Sequence, residues 1–153
     1  MDQKKSNILF LCTGNSARSQ MAEGLLRHHA PDRFEAFSAG LDPKGVNPLA
    51  VSAMDEIGID ISGQRSKSLS EYMGRMHFAF VITLCSNAER ACPAVFPGMG
   101  IRMHWDLEDP SAATGTEEER MKAFRRVRDQ IAGRIFLLIS GPGSGQDDAG
   151  LRL

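Results

Sequence analysis

The sequence lacks any apolar run that approaches the roughly 20 residues a bilayer-spanning helix needs. It also lacks an excess of either charge, because 18 Lys and Arg residues nearly balance 19 Asp and Glu residues and leave a formal net charge of −1. A near-neutral chain gives no electrostatic reason to expect nucleic acid or an anionic membrane as a partner. The charged start, MDQKKSN, leads into a stretch of strand length and does not resemble a signal peptide. We therefore expect a cytoplasmic protein.

Cysteine, tryptophan and tyrosine are scarce. The chain has one tryptophan, one tyrosine and three cysteines, which are Cys12, Cys85 and Cys92. An odd number of cysteines does not make a disulfide framework, and a lasting structural disulfide is not expected in the cytoplasm. The three thiols therefore fit a reactive set better than a structural one.

Strand and helix patterns alternate along the chain. Short apolar runs predict strands over residues 7–12, 34–40 and 78–85, and a weaker strand over 101–107. Helical spacing predicts helices over residues 18–30 and 47–58 and from about 116 onward, with a further helix over 68–76. This alternation predicts one α/β domain with a parallel sheet over residues 1–140. Glycine-rich residues 141–153 are predicted to form a flexible tail.

Three chemically capable residues follow predicted strands. Cys12 ends the first strand, Cys85 ends the third, and Asp109 comes shortly after the fourth. Ligands of parallel α/β sheets bind outside the carboxyl ends of the strands, where the strand ends meet at one edge. We therefore expect these three side chains to lie close together in one site.

The loop between the first strand and the first helix, CTGNSARS, has the form Cys-x5-Arg. Small residues allow successive backbone N–H groups to turn inward as an anion-binding nest, and the helix N-terminus adds further donors. The planar guanidinium of Arg18 suits two oxygens of a tetrahedral oxyanion. The residues expected to bind the oxyanion are Thr13, Gly14, Asn15, Ser16, Ala17 and Arg18.

Within this loop, Cys12 is the candidate nucleophile. The positive field of the nest favours the thiolate form of Cys12, and Ser19 can donate a hydrogen bond to its sulfur. A thiolate inside an oxyanion-binding loop is directed at a phosphorus-like centre. The alternative is a buried structural cysteine before an ordinary helix, but the placement between strand and helix favours catalysis. Asn15 is expected to steady the loop in a left-handed backbone conformation.

The loop sequence CTGNSARSQMAEG resembles the phosphate-binding loop of the low-molecular-weight tyrosine phosphatase family, and more closely its arsenate reductase branch. The segments SAGLDPKGVNPLAVSAMDEIGIDIS, VITLCSNAERACP and HWDLEDPSAATGTEEE are similar to the same branch. The resemblance covers roughly residues 7–135. It implies the family's fold, a four-stranded parallel sheet flanked by helices, and an enzyme that needs no cofactor.

A proton donor is needed opposite the nucleophile, because hydroxide or alkoxide must be expelled from the oxyanion. The tripeptide EDP, with Asp109 before Pro110, resembles the family's general-acid loop. Proline biases the preceding residue away from helix and so holds Asp109 in an extended conformation. Asp106 and Glu108 are the nearby alternatives.

The other two cysteines distinguish a reductase from a phosphatase. A phosphatase needs only Cys12, Arg18 and an acid, whereas a reductase must accept two oxidising equivalents, which three thiols can do by relay. The resemblance implies that Cys12 attacks arsenate and Asp109 protonates the departing oxygen. Cys85 then attacks Cys12 as arsenite leaves, and Cys92 closes a Cys85–Cys92 disulfide for thioredoxin. Phosphate and sulfate are expected to compete, and glutathione with glutaredoxin is the alternative reductant.

Other functions remain open from the sequence. A tyrosine phosphatase usually has aromatic walls around its cleft, but Tyr72 and Trp105 are the single tyrosine and tryptophan, and the acid loop has no tyrosine. A redox-sensing or oxyanion-binding protein would also present a Cys85–Cys92 disulfide. A zinc site with His104 as third ligand lacks the usual Cys-x2-Cys spacing.

Some reductases of this branch bind potassium near the loop, through residues that would match Asn15, Glu23 and Ser38. The remaining oxygen ligands would fall in QRSKS, where Arg65 and Lys67 stand instead. We therefore predict no metal, with a basic side chain in place of the cation.

Overall fold

The computed structural model describes residues 5–91 and 98–140. Four strands lie in one sheet: β1 Ser6–Cys12, β2 Phe34–Gly40, β3 Phe78–Thr83 and β4 Met99–His104. They pair in the order β2-β1-β3-β4, and each pairing is parallel. The predicted four-stranded parallel α/β sheet is confirmed. The sequence-predicted tail, residues 141–153, lies outside the described residues.

In the described residues, helices connect successive strands, and a last helix follows β4. They are α1 Arg18–His29, α2 Pro48–Asp55, α3 Ser86–Ala91 and α4 Glu117–Ser140, with 3₁₀ turns at Leu69–Glu71 and Pro110–Ala112. Asn47 begins α2, since its Oδ1 accepts a hydrogen bond from the backbone N–H of Leu49 at 2.8 Å, and Pro48 follows at the first helical position. In the described part of the chain, no helix is both long and apolar enough to span a bilayer.

One helix expected from the sequence is not found. The helix expected over residues 68–76 is only a 3₁₀ turn, Leu69–Glu71, followed by further turns in which Gly74 takes a φ of 78°. A glycine in that left-handed region ends helical geometry. After Cys85 the sequence leaves a loop or a helical turn open, because so short a segment has too few residues for periodicity to indicate a helix, and the structure forms the short helix α3 there.

The core lies between the two central strands and the helices. Residues 8–11 of β1 are fully buried, as are Val81 and Ile82 of β3. Six residues of α4 form its buried stripe at helical spacing: Met121, Phe124, Val127, Ile131, Ile135 and Leu138. Burying each large apolar side chain contributes about 1.5–3 kcal/mol to the free energy of folding, so this packing stabilises the sheet whose strand ends carry the site.

The strand register brings the expected residues to one edge of the sheet. Leu11 of β1 pairs with Thr83 of β3, which in turn pairs with His104 of β4. Cys12, Cys85 and the segment after β4 therefore leave the sheet side by side.

Candidate active site

The loop that follows β1 is fixed by the segment 42–47. The backbone hydrogen bonds run from Asp42 N to Thr13 O (2.8 Å), from Lys44 N to Gly14 O (2.9 Å) and from Asn47 N to Ser16 O (2.9 Å). In a trans peptide the next N–H points opposite to the carbonyl. The N–H groups of Gly14, Asn15 and Ala17 are therefore turned away from this segment, as an anion-binding nest requires.

Asn15 holds the shape of the loop from inside. It is fully buried and has a φ of 48°, the left-handed conformation expected for it. Its Oδ1 accepts a hydrogen bond from the backbone N–H of Lys67 at 2.8 Å, and its Nδ2 donates to Ser19 Oγ at 2.8 Å. Gly40 permits this packing, because a Cβ there would lie 2.7 Å from Thr13 O and 2.8 Å from Asn15 N.

Ser19 contacts the candidate nucleophile directly. Its Oγ lies 2.9 Å from the sulfur of Cys12, and both residues are buried. Because Ser19 Oγ accepts a hydrogen bond from Asn15, its own hydrogen is free to point at the sulfur. Such a donor stabilises a thiolate more than a thiol.

Arg18 faces the segment that carries the candidate acid. Its Nη1 donates to the carbonyl oxygen of Leu107 at 3.0 Å, and its Nη2 lies 3.8 Å from Asp109 Oδ2. Asp109 is 48% exposed, and its Oδ1 accepts the backbone N–H of Ser111 at 2.9 Å. Arg18, the first residue of α1, therefore holds its guanidinium group against the segment that carries Asp109.

The two alternative acids lie elsewhere. Glu108 is paired with Arg126 at 2.7 Å, and this contact lowers the pKa of Glu108. Asp106 is 80% exposed and lies 3.9 Å from His104 Nε2. Of the three carboxylates, Asp109 alone lines the cavity beside Cys12.

A cavity of about 330 Å³ lies over the loop. Its lining from the loop comprises Cys12, Thr13, Gly14, Ser16, Ala17 and Arg18. The opposite side is formed by Lys44, Asn47, Asp109 and Ser111. Lys44 and Asn47 were not predicted as site residues, since Asn47 showed only a helix-cap signal and Lys44 showed none. Lys44 brings a second positive charge to the cavity, partly balanced by Asp42 at 2.9 Å.

Cys85 is buried next to the loop, at the start of α3. Its sulfur lies 3.4 Å from Thr13 Oγ1 and 3.4 Å from the backbone N–H of Ala88. Thr13 Oγ1 accepts a hydrogen bond from Asn87 Nδ2 at 2.9 Å, so its hydrogen is free to point at Cys85. Cys12 and Cys85 are both free thiols. Cys92 lies outside the described residues.

A buried ammonium group lies behind the loop. Lys67 is 7% exposed, and its Nζ is 3.5 Å from Glu23 Oε1, 3.3 Å from Ser38 Oγ and 2.7 Å from the carbonyl oxygen of Arg65. Burial lowers the pKa of Lys67, and the Glu23 carboxylate opposes this shift. Arg27 also pairs with Glu23. The ammonium of Lys67 thus lies beside the oxygens of Glu23 and Ser38, two of the residues that would match the potassium ligands of some relatives. The absence of a metal stays a prediction.

The single tryptophan and the single tyrosine of the chain lie away from the cavity. Trp105 is fully buried and packs against Phe10, with 5.9 Å between ring centroids. Tyr72 packs against Phe37 and Phe78. Neither residue forms a wall that could hold a phosphotyrosine ring beside Cys12.

The parallel sheet thus places the thiol of Cys12 at the start of a strand-to-helix loop, where it faces Arg18 and Asp109 across one cavity. Residues 7–140 match the model of the low molecular weight phosphotyrosine protein phosphatase family. The chain belongs to this family.

Relatives within this family are named arsenate reductases. The chain is 50% identical over 132 residues to an arsenate reductase of Shouchella clausii (strain KSM-K16), covering 86% of this chain and 93% of that one. A solved arsenate reductase in the phosphate binding state aligns with a TM-score of 0.72 and 34% identity, over 88% of this chain and 97% of that one. A thioredoxin-dependent arsenate reductase of Corynebacterium glutamicum aligns with a TM-score of 0.67 and 28% identity, over 92% of this chain and 63% of that one.

Proposed function

We propose that the protein reduces arsenate to arsenite by a thiol relay through Cys12, Cys85 and Cys92, and that thioredoxin restores the thiols. The observation that carries this proposal is the second buried thiol beside the oxyanion loop, where Cys85 contacts Thr13, the residue after the nucleophile. Phosphoester hydrolysis has no use for such a thiol. The arsenate reductases among the relatives support the same activity.

In the first step, the N–H groups of the loop and Arg18 hold the arsenate oxygens. The Cys12 thiolate attacks arsenic, and a sulfur–arsenic bond forms as one arsenic–oxygen bond breaks. Asp109 donates the proton that lets this oxygen leave as water. Arg18 already lies between the loop and Asp109, so it can bind the anion next to the acid.

In the second step, the Cys85 thiolate attacks the sulfur of Cys12. The electron pair of the sulfur–arsenic bond passes to arsenic, which becomes As(III) and leaves as arsenite, and a Cys12–Cys85 disulfide forms. The contacts of the Cys85 sulfur with Thr13 Oγ1 and with Ala88 N–H hold it beside the loop for this attack.

In the third step, the Cys92 thiolate attacks Cys85, and Cys12 leaves as a thiolate ready for another arsenate. A dithiol such as thioredoxin then reduces the Cys85–Cys92 disulfide and supplies the two electrons of the cycle. This coupling needs a reducing compartment, so we propose that the protein works in the cytoplasm.

We also propose that the ammonium of Lys67 replaces a bound cation. It interacts with Glu23 and Ser38, and the backbone N–H of the same residue bonds to Asn15. The positive charge that supports the loop is then covalently attached, and the enzyme needs no metal.

The test is a coupled assay that follows NADPH consumption with arsenate, thioredoxin and thioredoxin reductase. The parent is expected to turn over continuously, whereas Cys92→Ser should stop after about one equivalent of arsenite, because its Cys12–Cys85 disulfide is not resolved. A parent that shows no arsenate-dependent turnover but hydrolyses p-nitrophenyl phosphate would instead be a phosphatase of the same family.

A further inference from the structure

The short helix α3 follows Cys85 directly and has little apolar contact with the rest of the protein. Among its six described residues, Ala88 alone is buried. The contacts that hold α3 to the sheet are therefore mostly polar. Most of them involve Glu89, a residue to which the steps above assign no role.

Glu89 is held by residues of two strands, in a cluster that we call the Glu89 clasp: Thr83, Glu89, Arg102 and His104. The fully buried Thr83 donates from Oγ1 to Glu89 Oε1 at 2.7 Å. Arg102 Nη2 donates to the backbone carbonyl of Glu89 at 2.6 Å and lies 3.3 Å from its Oε1. Both the side chain and the backbone of α3 are thereby fixed to the sheet.

The hydrogen-bond directions in the clasp are determined by its chemistry. An ionised carboxylate only accepts, so the hydroxyl hydrogen of Thr83 points to Glu89. His104 Nδ1 lies 2.8 Å from the same Thr83 oxygen, so it carries the hydrogen and donates. Partial burial alone would raise the pKa of Glu89, but the hydrogen bond from Thr83 and the charge of Arg102 outweigh it and lower the pKa.

The proposed disulfide is incompatible with α3 in this form. The seven steps from position 85 to position 92 would advance a continuous helix by roughly 10 Å along its axis. A disulfide requires Cα atoms within about 7 Å. A helix that continued to position 92 would therefore keep the two Cα atoms too far apart, so the disulfide requires a change in the segment that carries Glu89. Glu89 resists this change while the clasp is closed, because both its carbonyl and its carboxylate are anchored.

We propose that Glu89 is a positioning residue for the second half of the relay: the closed clasp holds Cys85 against Thr13 for its attack on Cys12, and its opening permits the Cys85–Cys92 disulfide. This inference rests on the proposed relay. The clasp supplies no electrons or protons to it. In the step that it controls, Cys92 forms a bond to Cys85 sulfur as the Cys12–Cys85 bond breaks, and Cys12 leaves as a thiolate.

The first measurement isolates the disulfide from arsenate chemistry. Full-length Cys12→Ser protein, which keeps Cys85 and Cys92, is equilibrated in buffers with varying ratios of reduced to oxidised dithiothreitol. Alkylation and mass spectrometry then give the fraction of disulfide. Adding Glu89→Ala should raise the equilibrium constant for disulfide formation about tenfold, because hydrogen bonds to a charged group that favour the dithiol form are lost. Glu89→Gln, which keeps an acceptor for Thr83 and Arg102, should give a smaller rise.

The matched control is Arg90→Ala, an exposed neighbour on the same helix. It should leave the equilibrium within twofold of the parent. A second measurement uses the chain with all three cysteines and quenches a single turnover with arsenate. Glu89→Ala should slow the release of arsenite severalfold while KM for arsenate stays unchanged, because Cys85 is no longer held in place and the oxyanion loop is untouched.

The outcomes separate the two proposals. If disulfide forms equally in the parent, Glu89→Ala and Arg90→Ala backgrounds, the clasp has no role and only this inference is overturned. If no Cys85–Cys92 disulfide forms in any background at any dithiothreitol ratio, the relay itself is wrong, and the role of Glu89 falls with it. Circular dichroism of each variant checks that it folds. If Glu89→Ala does not fold, Glu89→Gln replaces it in the comparison with the parent and Arg90→Ala.

Discussion

The sulfur of Cys12 lies 2.9 Å from Ser19 Oγ, and the hydroxyl is oriented by Asn15, whose own amide is fixed by the backbone of Lys67. Cys12 is thus connected through three hydrogen bonds to the segment that also carries the buried ammonium group. The thiol of Cys12 and the ammonium of Lys67 therefore belong to one hydrogen-bonded network.

Replacing Ser19 with alanine removes the donor nearest to the thiolate. A hydrogen bond to a charged group contributes about 1.5–3 kcal/mol, so we expect Ser19→Ala to reduce kcat for arsenate about 10- to 100-fold. Alkylation of Cys12 by iodoacetamide at pH 7 should slow as well. Ser52→Ala, at an exposed position of α2, is the control and should change neither rate. Equal rates for Ser19→Ala and the parent would mean that this hydroxyl does not stabilise the thiolate.

The proposed acid role of Asp109 is tested by Asp109→Asn, which preserves the shape of the side chain and removes the transferable proton. General acid catalysis typically accelerates a reaction 10²–10⁴-fold, so we expect kcat for arsenate to fall by roughly that factor with a small change in KM. Asp106→Asn is the matched control, because Asp106 is 80% exposed and does not line the cavity. A larger loss in Asp106→Asn than in Asp109→Asn would assign the acid role to Asp106.

Much of the fold was predictable because local pattern and tertiary structure agree. The apolar runs placed β1 and β2 within a residue of their observed bounds, and the glycine at position 40 closed β2 as expected. Asn15 was expected in a left-handed conformation and has it, because asparagine is among the few residues that tolerate positive φ.

Other features depend on contacts between distant segments, which no local pattern contains. Lys44 and Asn47 reach the cavity because the segment 42–47 packs on the loop through backbone hydrogen bonds, and backbone contacts leave no signal in side-chain spacing. The same holds for the Glu89 clasp, in which Thr83 and Arg102 meet Glu89 only because β3 and β4 are neighbours in the sheet. The position of Cys85 beside the loop that begins at Cys12, in contrast, follows from the rule for parallel strand ends.

The proposed role of Lys67 predicts a response to potassium. Lys67→Ala leaves Glu23 buried with one cationic partner fewer, and breaking a buried pair typically costs about 3–5 kcal/mol. We expect a lower Tm for this variant, partly restored by potassium but not by an equal concentration of tetramethylammonium. Lys5→Ala, which removes an exposed pair with Glu35, should change little. A parent whose own Tm rises specifically with potassium would contain a cation site that Lys67 does not fill.

The carboxylate of Glu89 predicts a change of stability with pH. In the folded protein the pKa of Glu89 is lowered below its ordinary value of 4.5, which holds in the unfolded chain. At a pH between these two pKa values, the unfolded chain therefore binds more protons than the folded one. The stabilisation is therefore complete above pH 4.5 and is lost as the pH falls through the lowered pKa. We expect the Tm difference between the parent and Glu89→Gln to shrink over this range. Glu35→Gln, on the exposed surface of β2, is the control. A difference that persists unchanged at acid pH would show that the charge of Glu89 does not hold α3 to the sheet.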